Sequence, residues 1–325
     1  MAKASKVNTK INKAIEALDK RFGERVLMKM DEANADVDVI PSGRDGLDVA
    51  LGGGYGVGKI IEIFAESAAG KTGLALEVIA EVQKTGGIVA FIDAEHALNT
   101  EYCEEVGVDI NSLYISQPSY GEQAFEAIRA LINTGEVELI VVDSVSAMVP
   151  KAELEGESGQ ANIALQARMM SQGMKLITGP AAEVGCTVVF INQLRASIGM
   201  YQPPTVTSGG KALKFYASQR LEIKNKGKIK EGDVVIGFKQ FITVVKNKIG
   251  TPFRTFTNDI IYGKGSDNFI GTIEALVEKK ILEKKGGWYA YNGSNLANGI
   301  KKLRLLMEDS PSLLEELRDK LKNEK

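Results

Sequence analysis

The residues best equipped for chemistry stand together in Glu66-Ser67-Ala68-Ala69-Gly70-Lys71-Thr72. An apolar run, Ile61-Glu62-Ile63-Phe64-Ala65, leads into them, and a helix-forming segment at 74–83 follows. Strand, loop and helix in that order make a site for a nucleoside triphosphate. Backbone N–H groups and the helix N-terminus surround the phosphates, Lys71 sits against them, and the Thr72 hydroxyl reaches Mg²⁺. One position departs from the usual pattern: Ala65 stands where such loops begin with glycine, and its methyl group restricts the backbone.

A bound triphosphate also needs a group to hold Mg²⁺ and a group to aim water. Asp143 ends the β-branched run Ile140-Val141-Val142 and is placed as a Walker B carboxylate would be. Glu95, in Phe91-Ile92-Asp93-Ala94-Glu95-His96, follows another apolar strand and is the expected water-orienting group, with Asp93 a competitor for the role. His96 is the only histidine, and Cys103 and Cys186 have no metal-ligand spacing, so zinc is not expected.

These groups need a rigid frame, and the pattern from 41 to 265 supplies one. Candidate strands at 60–64, 88–92, 113–116, 139–143, 188–192, 219–223 and 240–247 alternate with helical segments at 74–84, 100–105, 121–133 and 162–182. Continuous apolar strands separated by helices predict an α/β fold whose sheet is covered on both faces. Ligands in such folds sit at the carboxyl ends of the strands, where Asp143 falls. Before this core, Ile11, Ala14, Ile15, Leu18 and Phe22 recur at helical intervals among lysines. That helix needs a neighbouring subunit or its own body to cover its stripe, and a polar linker at 31–38 follows. After the core, amphipathic stretches at 272–283 and 312–321 flank Trp288-Tyr289-Ala290-Tyr291, which suggests a small α/β lobe.

Composition narrows the function. The chain has 325 residues, 44% hydrophobic and 25% charged, and a formal net charge of -2, which speaks against a wholly basic nucleic-acid coat protein. The charge is uneven, however. Residues 205–265 hold 12 Lys/Arg and 4 Asp/Glu, an excess of 12 − 4 = 8 that suits a phosphate backbone or an acidic surface on another subunit. No apolar run is long enough for a membrane span and no signal-peptide core is seen, so a cytoplasmic protein is expected. Two segments read as functional loops. Residues 153–162 are rich in glycine and polar groups; 195–210, with Arg195, hydroxyls, glycines and Tyr201, follow a buried strand and precede Lys211 and Lys214. The second suits a phosphate backbone or is a disordered lid. Gln193, at the end of the preceding strand, is placed to couple a γ-phosphate to that loop or to make a static polar contact.

Taken together, segments 41–58, 61–72, 90–98, 141–145, 168–172, 190–193, 209–216, 244–249 and the surroundings of Trp288 resemble the bacterial-type RecA homologous recombinases over nearly the whole chain. The resemblance implies a RecA-type P-loop core at 34–268 with a mixed, mostly parallel sheet flanked by helices. It also implies an N-terminal polymerisation helix and linker at 1–33 and a small C-terminal α/β domain at 269–325. It implies an ATP- and Mg²⁺-dependent enzyme, a DNA-dependent ATPase, that forms a helical filament on single-stranded DNA and carries out pairing and strand exchange with double-stranded DNA. Glu66, Ser67, Ala68, Ala69, Gly70, Lys71, Thr72, Gly73 and Asp143 would hold the nucleotide, with Tyr102 beside the adenine. Glu95 would activate water and Gln193 would sense the nucleotide. Lys246 and Lys248, two residues apart on one strand face, would reach the γ-phosphate of the adjacent subunit. DNA contacts would come from Glu155, Gly156, Ser158, Gly159, Asn162, Ile163 and Arg168, and from Arg195, Ser197, Ile198, Gly199, Met200, Tyr201, Thr207, Ser208, Gly209, Gly210 and Lys211. Subunit contacts would use Ile11, Ile15, Leu18, Phe22 and Phe215.

Several positions depart from the family's pattern. Besides Ala65, these are Gly73 in place of a second threonine, Asn99 in place of an acidic residue near the adenine, Ile163 in place of methionine, and a slightly shortened second loop. Ala65 and Gly73 are expected to alter hydrolysis more than binding. The chain stops soon after Leu321 without a long acidic tail, from which ready loading onto duplex DNA is expected; a phage or mobile-element source fits too. Two rivals remain. A small-molecule kinase would need an acceptor pocket, and an ATP-gated scaffold would act by recruiting partners or promoting repressor self-cleavage.

Overall fold

The computed structural model describes residues 2–23, 27, 37–156, 163–196 and 205–323. Two compact units emerge, 1–38 and 39–325. The first contains α1 (Ala2–Phe22), on which Ile11 and Phe22 are 48% and 55% exposed while Ile15 and Leu18 are half-buried, so the apolar stripe is bare at its ends. Most of the linker expected at 31–38 lies outside the described residues.

In the second unit, β1 (Val39–Ile40) and β2 (Tyr55–Gly56) form a short ladder on either side of α2 (Asp45–Leu51). β3 (Ile60–Ala65) runs into α3 (Lys71–Lys84). There follow β4 (Ile88–Asp93), α4 (Thr100–Val106), β5 (Leu113–Ser116), α5 (Gly121–Thr134) and β6 (Val137–Asp143). Short α6 (Lys151–Leu154) and long α7 (Ile163–Val184) precede β7 (Thr187–Ala196), β8 (Thr205–Thr207) and α8 (Ala212–Tyr216). The long hairpin β9 (Gln219–Glu231) and β10 (Val234–Asn247) continues into β11 (Thr255–Ile261) and β12 (Gly265–Asp267). Last come α9 (Phe269–Glu278), β13 (Glu283–Lys285), β14 (Trp288–Tyr291), β15 (Ser294–Asn298), α10 (Ile300–Asp309) and α11 (Pro311–Asn323).

The large sheet has the order β12-β11-β10-β9-β3-β7-β6-β4-β5, with β8 paired to β7. From β9 to β5 every pairing is parallel, while β10, β11 and β12 add an antiparallel wing. Every residue of β3 is buried, as expected for a central strand with helices on both faces. The apolar sets on the two faces form separate cores, one with Leu74, Ile79 and Phe91, the other with Phe125, Ile140 and Phe190. One buried carboxylate interrupts β3. Glu62 is matched by Arg220 on β9 and by Asn192 on β7, whose Nδ2 donates at 2.9 Å. Paired in this way, the charge is tolerated in the interior.

Two expectations need correction. The segment 195–210 is not wholly an unstructured loop. β7 runs on to Ala196, and Leu194, Arg195 and Ala196 pair with Thr207, Val206 and Thr205, so strand pairing closes the base of the segment. The helix expected to reach 283 ends at Glu278, where the chain turns and Glu283 starts the β13–β15 meander. That meander and α9–α11 share a core of Leu276, Tyr289, Leu303 and Leu317, and Val49 of α2 packs against it.

Candidate nucleotide site and DNA-facing segments

All the parallel strands point their carboxyl ends at one edge, and the phosphate loop lies there between β3 and α3. Ala65 pairs in register with Gln193 and Ile223 and its methyl group is buried. It is a strand residue in extended conformation, so the glycine freedom that seemed needed there is not used. The left-handed turns fall later, at Ala68 (φ 55°) and Gly70 (φ 80°), the residue before α3.

Lys71 Nζ donates to the Glu66 carbonyl at 2.9 Å, and Thr72 Oγ1 donates to Asp143 Oδ2 at 2.7 Å. Burial pushes the Asp143 carboxyl up to about 6, opposed by the Thr72 hydrogen bond and reinforced by the Glu95 charge. Burial likewise lowers the Lys71 pKa, against the pull of Asp143 and Glu95. A cation entering beside Asp143 and the phosphates would favour the carboxylate. The Thr72 hydroxyl oxygen fits a Mg²⁺ that takes its other ligands from phosphate and water, with Asp143, bonded to that hydroxyl, reaching the ion through a water. Among the described residues there is no cluster of three or more His, Cys, Asp or Glu suited to a metal.

Register brings Asp93 and Asp143 level on β4 and β6, and the Asp143 carbonyl accepts from the N–H groups of Ala94 (2.8 Å) and Glu95 (3.1 Å). The two carboxylates that competed for water are thereby separated in use. Asp93 is buried and accepts from Ala97 N, Leu98 N and Gln117 Nε2, which ties down the following turn. Glu95 instead accepts from Gln193 Nε2 at 3.1 Å and from the Ser144 hydroxyl, itself 2.6 Å from that of Ser146. Neither serine was picked out from sequence, although two hydroxyls directly after a strand-ending aspartate were a usable signal.

Tyr102 lies on α4, beside the start of α3. A Cβ at Gly73 would fall 2.5 Å from its hydroxyl, so the small residue after Thr72 makes room for this ring. Asn99 caps α4, accepting from Tyr102 N at 3.0 Å.

Lys246 and Lys248 are elsewhere. β10 is antiparallel to β9, and Lys246 pairs with Arg220, level with Glu62 near the start of β3. Gln240, six residues earlier, is near the phosphate loop, so Lys246 is roughly 20 Å from it along the strand. Lys246 Nζ donates to the carbonyls of Lys214 (2.9 Å) and Phe215 (3.0 Å) at the end of α8, and the Phe215 ring is 67% exposed. Burial and the Lys248 charge both lower the Lys246 pKa. The two lysines do not share a strand face as expected. β10 ends at Asn247, whose Oδ1 accepts from Ile249 N and Gly250 N and turns the chain.

Of the residues expected to face DNA, Glu155 and Gly156 lie exposed after α6, Arg168 is exposed on α7, and Arg195 and Lys211 are exposed at either side of the β7–β8 hairpin. Asn192 Nδ2 also donates to the Ser208 carbonyl at 3.1 Å, and Gln193 N donates to Asn192 Oδ1 at 2.8 Å. The hairpin's return is thus bonded to the strand that carries Gln193. Gly209 (φ 79°) and Gly210 (φ 76°) follow Thr207, and added Cβ atoms would strike Val145 and Ala167. Ser158, Gly159, Asn162, Ser197, Ile198, Gly199, Met200, Tyr201 and the side chain of Ile163 lie outside the described residues.

Comparison with known proteins agrees with this architecture. The RecA N-terminal domain family matches residues 9–267 and the RecA C-terminal domain family residues 272–325. Protein RecA of Geobacter metallireducens is 44% identical over 315 residues, covering 96% of this chain and 93% of its own. Protein RecA of Fusobacterium nucleatum is 46% identical, covering 96% and 83%. Protein RecA of Acidothermus cellulolyticus is 46% identical over 325 residues, covering 99% and 94%. With a phosphate loop at the carboxyl edge of such a sheet and this likeness over nearly its full length, the chain belongs to the RecA family, the ATP-binding, DNA-dependent ATPases of recombination and repair.

Proposed function

We propose that this protein assembles as a head-to-tail filament on single-stranded DNA, with Mg²⁺-ATP bound between protomers, and exchanges strands with homologous duplex. The observation that carries the reading is the placement of Gln193. Its amide touches Glu95 at the phosphate edge, while its strand continues into the hairpin with Arg195. Gln193 and Arg195 are two residues apart on β7, so a change at Gln193 bears directly on the hairpin.

In this reading, the loop N–H groups and Lys71 bind the phosphates, which draws Lys71 away from the Glu66 carbonyl. Thr72 would hold Mg²⁺ directly and Asp143 through water, and the ion would offset the phosphate charge. Glu95, oriented by Ser144 and Gln193, aims the attacking water. Little base strength is needed, because phosphoryl transfer depends mainly on positioning and electrostatics. Lys246 and Lys248, beyond reach of their own phosphate loop, serve the nucleotide on the neighbouring protomer. Phe215 and the stripe Ile11, Ile15, Leu18 and Phe22 make the protomer contacts, and Arg168, Arg195 and Lys211 meet the DNA backbone. Base pairing, not protein contact, selects the sequence. The domain divisions at 33/34 and 268/269, promotion of repressor self-cleavage and a cytoplasmic setting belong to the same reading. Among the described residues no helix is long and apolar enough to cross a membrane.

Strand exchange with ATP, a non-hydrolysable analogue and ADP tests the proposal. Pairing is expected with ATP and the analogue and not with ADP; filaments that form but never exchange strands would instead support a scaffold.

A further inference from the structure

Behind the phosphate loop, side chains from three distant segments meet in a buried chain of hydrogen bonds. Arg44, the residue preceding α2, is 1% exposed and reaches Glu77 on α3 with Nε (2.5 Å) and NH2 (3.1 Å). Its NH1 donates to Oε1 of Gln240 on β10, also fully buried, at 2.5 Å. The other end of that amide, Nε2, donates to the carbonyls of Ala69 at 2.7 Å and Gly70 at 3.3 Å.

The orientation of the amide follows from chemistry. A guanidinium has only donors, so Gln240 must turn its oxygen to Arg44 and its NH₂ to the loop. Glu77 holds Arg44 with a two-pronged grip and balances its charge, which makes that choice fixed. The consequence falls on the loop. In a trans peptide the C=O and the next N–H point in opposite directions. Holding the Ala69 and Gly70 carbonyls outward therefore turns the N–H groups of Gly70 and Lys71 into the hollow where phosphate oxygens bind. Gly70 has a left-handed φ and no side-chain cap, and a Cβ there would fall 2.6 Å from Gln240 Nε2. The loop thus draws this orientation from β10.

We infer that Gln240 is a positioning residue for the phosphate loop, set in its donor orientation by Arg44 and Glu77, and that this unit governs affinity for ATP. The inference rests on the phosphate site proposed above. Because Gln240 touches only backbone carbonyls of the loop, it acts through the loop and not on the reacting atoms.

Two substitutions separate its halves in the full-length protein. Gln240→Leu removes donor and acceptor; Gln240→Glu keeps an acceptor for Arg44 and replaces the donor with a carboxylate oxygen that cannot bond the loop carbonyls. Both are expected to raise KM for ATP in DNA-stimulated hydrolysis by about tenfold, as for one lost buried hydrogen bond, with kcat little changed and the nucleotide-free melting temperature lowered because buried partners are left unpaired. Glu77→Gln, which keeps its shape but loosens Arg44, should raise KM by about threefold and serves as the test if neither Gln240 variant folds. Wild-type KM in both Gln240 variants, or in Gln240→Glu alone, would overturn the inference, since the second result would reduce Gln240 to a partner for Arg44; if neither folds, wild-type KM in Glu77→Gln would do the same. Lys71→Ala is the control: if it still binds ATP, the phosphate site itself is misread, whereas if it loses ATP while the Gln240 variants do not, only the positioning role fails.

Discussion

The two edges of the large sheet differ in what surrounds their intrachain-bonded polar groups. At the carboxyl edge, Lys71, Thr72, Asp143, Ser144, Glu95 and Gln193 all bond to one another or to the phosphate loop. At the other, Lys246 and exposed Lys248 stand beside the bare Phe215 ring, about 20 Å away along β10. The first arrangement gathers its expected phosphate-gripping groups on one chain. The second leaves an aromatic ring and a lysine bare, which is what the proposed head-to-tail neighbour would cover.

Substitutions at the two edges should therefore fail differently. The largest effect is expected at Glu95. Glu95→Gln should lower DNA-stimulated hydrolysis by about a hundredfold or more while leaving nucleotide binding intact; steady-state hydrolysis and equilibrium binding measured on one preparation would decide this. Full activity would remove Glu95 from the reaction. Next comes Lys71→Ala, for which titration with a fluorescent ATP analogue should give affinity weaker by roughly tenfold to a hundredfold, the worth of a charge-assisted contact to phosphate.

Mixing sharpens the contrast between the edges. Lys71→Ala and Lys246→Ala protomers should each be poor ATPases alone, yet an equimolar mixture should recover about a quarter of wild-type activity. That is the share of randomly formed head-to-tail contacts with both lysines intact. No recovery would mean that Lys246 serves its own chain. The smallest change in the isolated protomer is expected for Phe215→Ala. Its thermal stability should shift by no more than about 0.5 kcal/mol, as for other exposed side chains, while light scattering reports the loss of ATP-dependent assembly.

The core strands were legible because each has a β-branched or aromatic run bounded by turn residues, as in Ile140-Val141-Val142-Asp143. β11 was not. Its buried residues, Phe256 and Asn258, alternate with exposed ones and include an amide, so no apolar run marks it. α10 was missed too, being ten residues long with only Leu303 and Met307 buried. At the site, the phosphate loop and Asp143 could be read locally, as motif residues next to strands. Arg44, Glu77 and Gln240 could not, because they are 33 and 196 positions apart and ordinary in type. The backbone freedom expected to matter at Ala65 is not needed, for a related reason: a motif letter does not tell whether its residue ends a strand or starts a turn.

By itself, then, the sequence determined which segments would be buried strands and helices and which residues could grip phosphate, since side-chain periodicity and a short contiguous loop are local properties of the chain. Only the folded molecule decided which groups face one another. The reversal from β9 to β10 brings Gln240 to the phosphate loop and carries Lys246 to the far edge. Strand direction and register fix such distances, and neither can be counted off along a chain.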